Sequence, residues 1–339
     1  MGIVQSRRKH KEKAPLSTVD DSPQHNQTRT SHLSYHRSNT NNSSTNTRTV
    51  SSVEDTILPQ PVRPVHDFAG VQSNSHFLPK DWEVQDSFYA QHFALKQLFG
   101  DIALQPVVGK LTPGACAVDF GCGTGAWILD MATQYPECQF IGIEIAGMTD
   151  GAPDTLPLPN VRFEMTNGLE GLPLADASVD VVHLRSLYLT FKQDDWTTAL
   201  REAYRILKPG GVIQLMESHN TPSGTVLIES FIETVRNILK SEDKDYDVAP
   251  KLATLLTNAG FQLTLSKKKK IHFASDGKLG EEFTAVNLRA FQSAQAYLAS
   301  RMGLDEDDYR HRVEMVCAQC VQHDAHLVWY AYAARKPFG

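Results

Sequence analysis

The sequence has no long hydrophobic run, few cysteines and no strong excess of charge of either sign. No apolar stretch approaches the roughly 18 residues needed to cross a bilayer, which argues against an integral membrane protein. Five cysteines in 339 residues, without a secretory signal, indicate a reducing compartment and no disulfide framework. The 33 basic and 39 acidic side chains give a net charge of −6, which argues against a nucleic-acid-binding surface spread over the protein.

The first 66 residues differ in composition from the rest of the chain. Between positions 17 and 52, 23 of the 36 residues are Ser, Thr, Asn or Gln. Such a segment buries too little side chain to offset its backbone entropy, so we expect a disordered tail over residues 1–66. The chain begins Met-Gly-Ile-Val-Gln-Ser, which fits the pattern for myristoylation of Gly2, and the basic run Arg7–Lys13 follows. Together they favour a cytoplasmic protein held at a membrane surface. The alternatives are a nuclear localisation signal and a solvated tail.

From residue 67 to residue 339 the chain alternates short apolar runs with helical patterns, which is typical of an α/β domain with a parallel sheet. The first five predicted strands are Cys116–Phe120, Phe140–Ile145, Val161–Met165, Val179–Leu184 and Val212–Glu217. The predicted helices are Gly125–Gln134, Trp196–Leu207, Thr225–Lys240, Pro250–Ala259, Glu281–Met302 and Asp305–His323. The later strands are Phe261–Phe273 and His326–Lys336, where the pattern has antiparallel character. We expect the Lys208–Gly211 segment to stop one helix and turn the chain into the next strand.

The most informative segment is Ala117–Trp127, which reads AVDFGCGTGAW. An apolar strand ends in Asp119, and three alternating glycines then precede a helix. Glycines allow positive φ and close approach of a ligand, and the helix N-terminus offers unpaired N–H groups. Glu144 ends the next strand, where such folds place a carboxylate that binds a ribose diol. The sequence therefore predicts a nucleoside-containing ligand at this edge of the sheet.

The spacing G-x-G-x-G after Asp119 resembles the first motif of the class I S-adenosylmethionine-dependent methyltransferases, whereas dinucleotide dehydrogenases generally use G-x-G-x-x-G. Further segments follow in the order of that family, namely Glu144, Asn167-Gly168, Leu172-Pro173-Leu174, Ser178–Val182 and Leu207–Gly211. More narrowly, the sequence is similar to the fungal LaeA-like methyltransferases. That likeness is carried by Gln91-His92, Pro159–Glu164, His183–Leu187, Arg201–Arg205 and His326–Lys336.

The resemblance implies a Rossmann-like fold with a mostly parallel seven-stranded sheet and an antiparallel last strand. It also implies a cofactor-binding half over 81–217, and substrate or lid segments with the C-terminal strands over 218–339. The implied S-adenosylmethionine-binding residues are Asp119, Gly121, Cys122, Gly123 and Gly125 for the methionine part, Glu144 for the ribose, Asn167 and Gly168 for the adenine, and Gln91, His92 and Arg185 near the methionine end. Most members of the family carry Asp where Asn167 stands.

Methyl transfer from a sulfonium needs alignment more than acid–base chemistry, so the family implies neither a catalytic triad nor a metal. A base helps only where the acceptor loses a proton, and the candidate bases at the strand ends are His183, Glu217 and His219, with Arg185 and Tyr188 as further candidates there. We expect helices between 218 and 308, with Phe231, Phe283, Phe291 and Tyr297, to roof a pocket that contains Glu217 and His219.

The methyl acceptor stays open between a small metabolite with a hydroxyl group, a protein side chain and a lipid. An inactive cofactor-binding scaffold with the same fold is the alternative to an enzyme, and an NAD-dependent oxidoreductase is a more distant one.

Two further patterns have simpler explanations. Cys317, Cys320, His323 and His326 recur every three residues, but on a helix such steps of about 300° spread the side chains around the axis, so we predict no metal site. The run Lys267–Lys270 falls in a predicted strand and is typical of a solvated sheet edge, where lysines oppose strand addition.

Overall fold

The computed structural model describes residues 82–144, 158–220 and 224–338. Within these ranges the seven strands are β1 Cys116–Phe120, β2 Gln139–Glu144, β3 Val161–Met165, β4 Val179–Arg185, β5 Leu207–His219, β6 Gln262–His272 and β7 His326–Arg335. The α-helices are α1 Trp82–Phe99, α2 Gln105–Val108, α3 Ala126–Gln134, α4 Gln193–Ile206, α5 Val226–Lys240, α6 Leu252–Asn258, α7 Gly277–Ser293, α8 Gln295–Leu298 and α9 Glu306–Gln322.

The predictions for the tail, for Gly2 and for Arg7–Lys13 lie outside the described residues. In the part of the chain that is described, no helix is long and apolar enough to span a bilayer.

All seven strands form one sheet in the order β3-β2-β1-β4-β5-β7-β6. Strands β1 to β5 are parallel, and β7 runs antiparallel between β5 and β6. This confirms the predicted mostly parallel sheet with an antiparallel last strand. The chain leaves β1 toward β2 and β3 and returns to the other side of β1 at β4. The carboxyl ends of β1 and β4 therefore flank the crevice where open α/β sheets bind ligands.

Helices cover both faces of the sheet, because successive strand residues alternate between them. Val181 of β4 packs in the core under α1, α2, α3, α5 and α7 to α9. Its neighbour Val182 packs in the second core, under α4 and α6. Strands buried on both sides need continuous apolar runs, which explains why the central strands were recognisable in the sequence.

The junction of α4 and β5 differs from the expected turn. Helix α4 ends at Ile206 and β5 begins at the next residue, five residues before the predicted start. The Lys208–Gly211 segment joins β5 because Gly210 N–H donates to the Lys336 carbonyl, and Lys336 N–H donates to the Gly211 carbonyl, although Gly210 itself has φ of +79°. The pairing of β5 with β4 is irregular there, which accommodates the extra residues as a bulge.

Helix α7 begins four residues earlier than predicted and includes Gly280, a residue with poor helix propensity. A Cβ at Gly280 would lie 2.4 Å from the His272 carbonyl oxygen at the end of β6. A glycine at this position therefore lets α7 lie directly against β6. The predicted helix Glu281–Met302 is divided into α7, α8 and a 3₁₀ turn.

The lysine run lies in β6, which among the described strands pairs only with β7 and so forms one edge of the sheet. This confirms the edge-strand prediction for Lys267–Lys270. A row of lysines along an exposed edge disfavours addition of a further strand.

Candidate functional site

The glycine loop, residues 121–125, connects the end of β1 directly to the start of α3. Gly121, Gly123 and Gly125 have φ of +73°, +55° and +76°, a region that favours glycine. The Gly121 and Cys122 N–H groups both donate to the Ile143 carbonyl, which ties the loop to β2. A Cβ at Gly121 would lie 2.7 Å from Leu187 Cδ2, so the loop after β4 packs closely against this glycine. The loop is thus a backbone-lined surface at the carboxyl edge of the sheet.

Glu144 ends β2 beside this loop. Its carboxylate accepts a hydrogen bond from Gly123 N–H at 2.8 Å and also lines the adjoining cavity. Asn167, at the end of β3, lines the same cavity. The Asn167 side chain accepts from Leu169 N–H at 3.1 Å and donates to Glu170 at 2.9 Å, so its amide fixes a 3₁₀ turn. The predicted ribose and adenine residues therefore lie on one side of one cavity.

A polar network connects α1 to the cavity. Arg185 lines the cavity and donates to His92 Nδ1 at 3.0 Å. Because Arg185 can only donate, the ring proton of His92 is on Nε2, which donates to Asp130 at 2.9 Å. Lys96 also binds the Asp130 carboxylate, at 2.8 Å. Burial and the nearby Arg185 lower the pKa of His92 to about 4, so this histidine is neutral at physiological pH. His92 thus acts as a neutral spacer that orients Arg185.

Asp119 is buried at the base of the glycine loop. Desolvation raises the pKa of Asp119 to about 7. The positive charge of Arg185 acts in the opposite direction, and the negative charge of Glu144 adds to the increase. Burial lowers the pKa of Arg185, and the nearby Asp119 carboxyl opposes this change, so Arg185 is the cation that faces Asp119. The site therefore combines a cation, two carboxyl groups and exposed loop backbone in one crevice.

Glu217 holds the loop that follows β4. Its Oε1 accepts from Leu187 N–H at 2.7 Å and from Tyr188 N–H, and its side chain is fully buried. In that loop Ser186 has φ of +58°, which is uncommon for a residue with a side chain, and its hydroxyl donates to Gln91 at 3.1 Å. Desolvation raises the pKa of Glu217 to about 8, so the carboxyl is protonated at neutral pH. Glu217 is therefore an anchor for the loop.

The pKa of Glu217 predicts a stability difference that depends on pH. In the unfolded chain the carboxyl ionises near 4.5, and in the folded protein near 8. Between these values the folded state binds more protons, so this group lowers the free energy of unfolding by about 1.4 kcal/mol for each pH unit of increase. Glu217→Gln has no proton to lose. In urea titrations at pH 5, 6, 7 and 8 we expect the free energy of unfolding of the variant to rise steadily relative to that of the wild type. A constant difference between the two free energies over this range would contradict the assigned burial of Glu217. The contribution of Asp119 is common to both proteins and cancels.

The carboxyl ends of the strands, α1 and α7 enclose a cavity of about 200 Å³. The predicted residues that line it are Gln91, Asp119, Gly121, Cys122, Gly123, Glu144, Asn167, Gly168 and Arg185. Gly125 and His92 do not line the cavity themselves, but each lies next to a residue that does, Thr124 and Arg185 respectively. Its far wall comes from α7 and β7, with Phe283, Val286, Asn287, Ala290, Leu327 and Trp329.

The three candidate bases do not line this cavity. His183 is fully buried and stacked on Trp127 at 4.4 Å, with its Nδ1 accepting from Gln214. Glu217 is turned to the backbone of the β4 loop, and His219 bonds to Asp247 at 2.9 Å. The expected roof is present in α7, but it does not enclose Glu217 and His219. Phe231 and Phe291 line a second cavity, and the Tyr297 hydroxyl bonds to Glu242.

Sequence reasoning did not select Ser218, Asn287 and Trp329, which also line the site. They come from β5, α7 and β7, so no local motif connects them with the glycine loop. The one sequence signal available for Ser218 was the alternation of the side chains of β5 between the two faces of the sheet. Tyr188 also reaches the cavity, and its buried hydroxyl bonds to Ser218, with its pKa raised by burial to about 12.

Part of the sequence matches a known protein family. Residues 117–211, from β1 into β5, match a family model described as a methyltransferase domain. These residues form a methyltransferase domain. This confirms the predicted methyltransferase domain and, with it, S-adenosylmethionine as the cofactor.

Two relatives illustrate the likeness. Methyltransferase pytC of Aspergillus terreus is 25% identical over 289 residues, which are 80% of this chain and 86% of that protein. The secondary metabolism regulator laeA of Coprinopsis cinerea is 30% identical over 156 residues, 44% of this chain and 37% of that protein. A solved structure, a putative sarcosine dimethylglycine methyltransferase from Galdieria sulphuraria, shows a TM-score of 0.46 at 15% identity, covering 78% of this chain and 93% of that one.

The residues of the methyltransferase fit this cofactor. Glu144 supplies a hydrogen-bond acceptor for a ribose diol, and Arg185 supplies a cation for a carboxylate. Phe120, Leu169 and Phe191 supply apolar surface for the adenine base. Cys317 and Cys320 lie on α9 and His323 caps it, while His326 begins β7. Over the described ranges, no group of three or more His, Cys, Asp or Glu side chains could hold a metal ion.

Proposed function

We propose that the chain transfers the methyl group of S-adenosylmethionine to a small-molecule acceptor bound beside it in the cavity, by direct displacement. The observation that carries this proposal is the shape of the cavity. One side is the glycine loop with Glu144, Asn167 and Arg185, and the other is a wall from α7 and β7. A single crevice therefore offers a polar half suited to the cofactor and an apolar half for a second molecule.

The bound cofactor supplies a methyl group that is already activated by the positive sulfonium. In our proposal Asp119 and the glycine loop hold the methionine part, Glu144 holds the ribose, and Asn167 with Gly168 contacts the adenine. Arg185, oriented by His92, lies beside the carboxylate end together with Gln91. The protein then contributes alignment, which is worth about 7–11 kcal/mol in well-oriented reactions.

The described residues on the apolar side support an uncharged acceptor. Phe283, Val286, Ala290, Leu327 and Trp329 carry no charge, and Asn287 is the one amide among them. An ionised acceptor would lose its hydration in this wall without gaining a partner of opposite charge. Tyr188 and Ser218 also line the cavity, and their hydroxyls are neutral hydrogen-bonding groups.

A labelling experiment tests the proposed function. The full chain is incubated with S-adenosylmethionine carrying a labelled methyl group and with an extract of its native cells, and the products are separated into small molecules and macromolecules. We expect label in small molecules and none with a variant that does not bind the cofactor. Label confined to protein would contradict the proposed acceptor class. Cofactor binding without any transfer would instead indicate an inactive scaffold.

A further inference from the structure

A second cavity lies behind α7, next to the first. It encloses about 50 Å³, room for about four groups of the size of water or methyl. Its wall comes from α5, α7, α9 and the start of β7, and the aromatic rings of Phe231 and Phe291 meet edge to face at 5.2 Å. Asn287 lines both cavities, so the two spaces adjoin at this one side chain.

No Asp, Glu, Lys or Arg is among the described residues that line the second cavity. Its ionisable groups are neutral, because burial raises the pKa of Cys317 to about 12 and that of Cys320 to about 11. Burial lowers the pKa of His326, so this ring is uncharged as well. A charged group entering here would be desolvated without compensation, whereas an apolar group would replace water at an apolar wall.

The polar side chains of α7 at this cavity, Thr284 and Asn287, each donate a hydrogen bond to the backbone of their own helix. Thr284 Oγ1 donates to the Gly280 carbonyl at 2.8 Å, and Asn287 Nδ2 donates to the Phe283 carbonyl at 2.7 Å. Both bonds lie within the helix itself. The hydroxyl hydrogen of Thr284 and one amide hydrogen of Asn287 are therefore bonded one turn earlier, which leaves a cavity surface that is mainly suited to alkyl or aryl carbon.

We propose that the methyl acceptor has an uncharged, apolar end that binds in this second cavity, while its reacting group lies in the first. The inference rests on the proposed function, since it assigns the acceptor a position and a chemical class. The size of the cavity limits the buried end to a short or branched alkyl group. Specificity for the acceptor then depends on the wall formed by α5, α7 and α9, away from the cofactor.

A pair of variants on adjacent residues of α7 tests this inference. Thr284→Phe places a ring at a half-buried position that lines the second cavity, and Ala285→Phe places the same ring on the exposed face beside it. The first readout is xenon binding to the full chain. It is monitored through the NMR signals of the methyl groups of Ile228, Val313 and Val316. We expect saturable shifts in the wild type and in Ala285→Phe, and none in Thr284→Phe. Shifts that persist in Thr284→Phe, or are absent from the wild type, would overturn the assignment.

The second readout is methyl transfer into small molecules that partition into organic solvent, with cofactor affinity measured in parallel by calorimetry. Thr284→Phe should lower this transfer about tenfold or more, while Ala285→Phe stays within about twofold and both bind the cofactor as the wild type does. Wild-type transfer by Thr284→Phe would refute the second cavity as an acceptor site but leave the proposed function intact. Failure of the wild type to transfer label to any small molecule would refute the proposed function itself.

Discussion

Gly123→Val is expected to abolish S-adenosylmethionine binding, with an affinity loss of at least about 100-fold, or about 2.8 kcal/mol. Gly123 has φ of +55° and lines the cavity, and its N–H donates to Glu144. A β-branched residue at positive φ is a genuine outlier, so the loop would leave its present course. The valine side chain would also occupy cofactor volume. Isothermal titration with S-adenosylmethionine measures the effect directly.

The matched control is Gly114→Val. Gly114 also has positive φ, +81°, but a Cβ there would meet no atom within 4 Å, and the residue does not line the cavity. This variant carries a comparable backbone strain without obstructing the site. It should lose stability in a thermal melt but keep its affinity for the cofactor. Equal loss of binding in both variants would mean that strain, and not the site, explains the result.

Glu144→Ala is expected to lower the affinity for S-adenosylmethionine by about 100-fold or more. A carboxylate that accepts from two ribose hydroxyls makes two hydrogen bonds to a charged group, each worth about 1.5–3 kcal/mol. The variant also removes the acceptor of the Gly123 N–H, which loosens the glycine loop. Glu144→Gln keeps an acceptor oxygen without the charge, so its loss should be intermediate. The same titration ranks the three proteins.

Glu164→Ala provides the comparison for this second experiment. Glu164 lies on β3 opposite Ile143 of β2, and its carboxylate pairs with Arg162 at 3.2 Å on the surface. Removing it subtracts the same charge one strand away from the site. We expect cofactor affinity within about twofold of the wild type. If Glu164→Ala weakened binding as much as Glu144→Ala, the loss would reflect net charge and not a ribose contact.

The cofactor side of the site was predictable because its signals are local. Asp119 and the glycines lie within one strand, one turn and one helix start, and the backbone geometry there requires glycine. Glu144 could be added because parallel strands end at the same edge of a sheet. The seven strands with an antiparallel last strand followed from the family resemblance, and the buried central strands from their continuous apolar runs.

The roles of His183, Glu217 and His219 were not predictable, because distant contacts decide them. His183 and Arg185 lie on the same face of β4, yet α3 covers the first with Trp127 while the second reaches the cavity at the strand end. Glu217 is held by the N–H of Leu187, thirty residues earlier. Nothing in the residues around these positions indicates such partners.

The sequence by itself determined the fold, the glycine loop and the carboxylate at the end of β2, since each depends on residues close together in the chain or on strand periodicity. The tertiary structure alone decided the wall of the cavity opposite the glycine loop. Gly280 allows α7 to lie against β6, and α7 then brings Phe283 and Asn287 over the crevice, where Asn287 lines both the crevice and the second cavity. The physical reason is that helix-to-sheet packing joins residues more than a hundred positions apart, and a hydrophobic pattern specifies which face of a helix is buried but not which surface it covers.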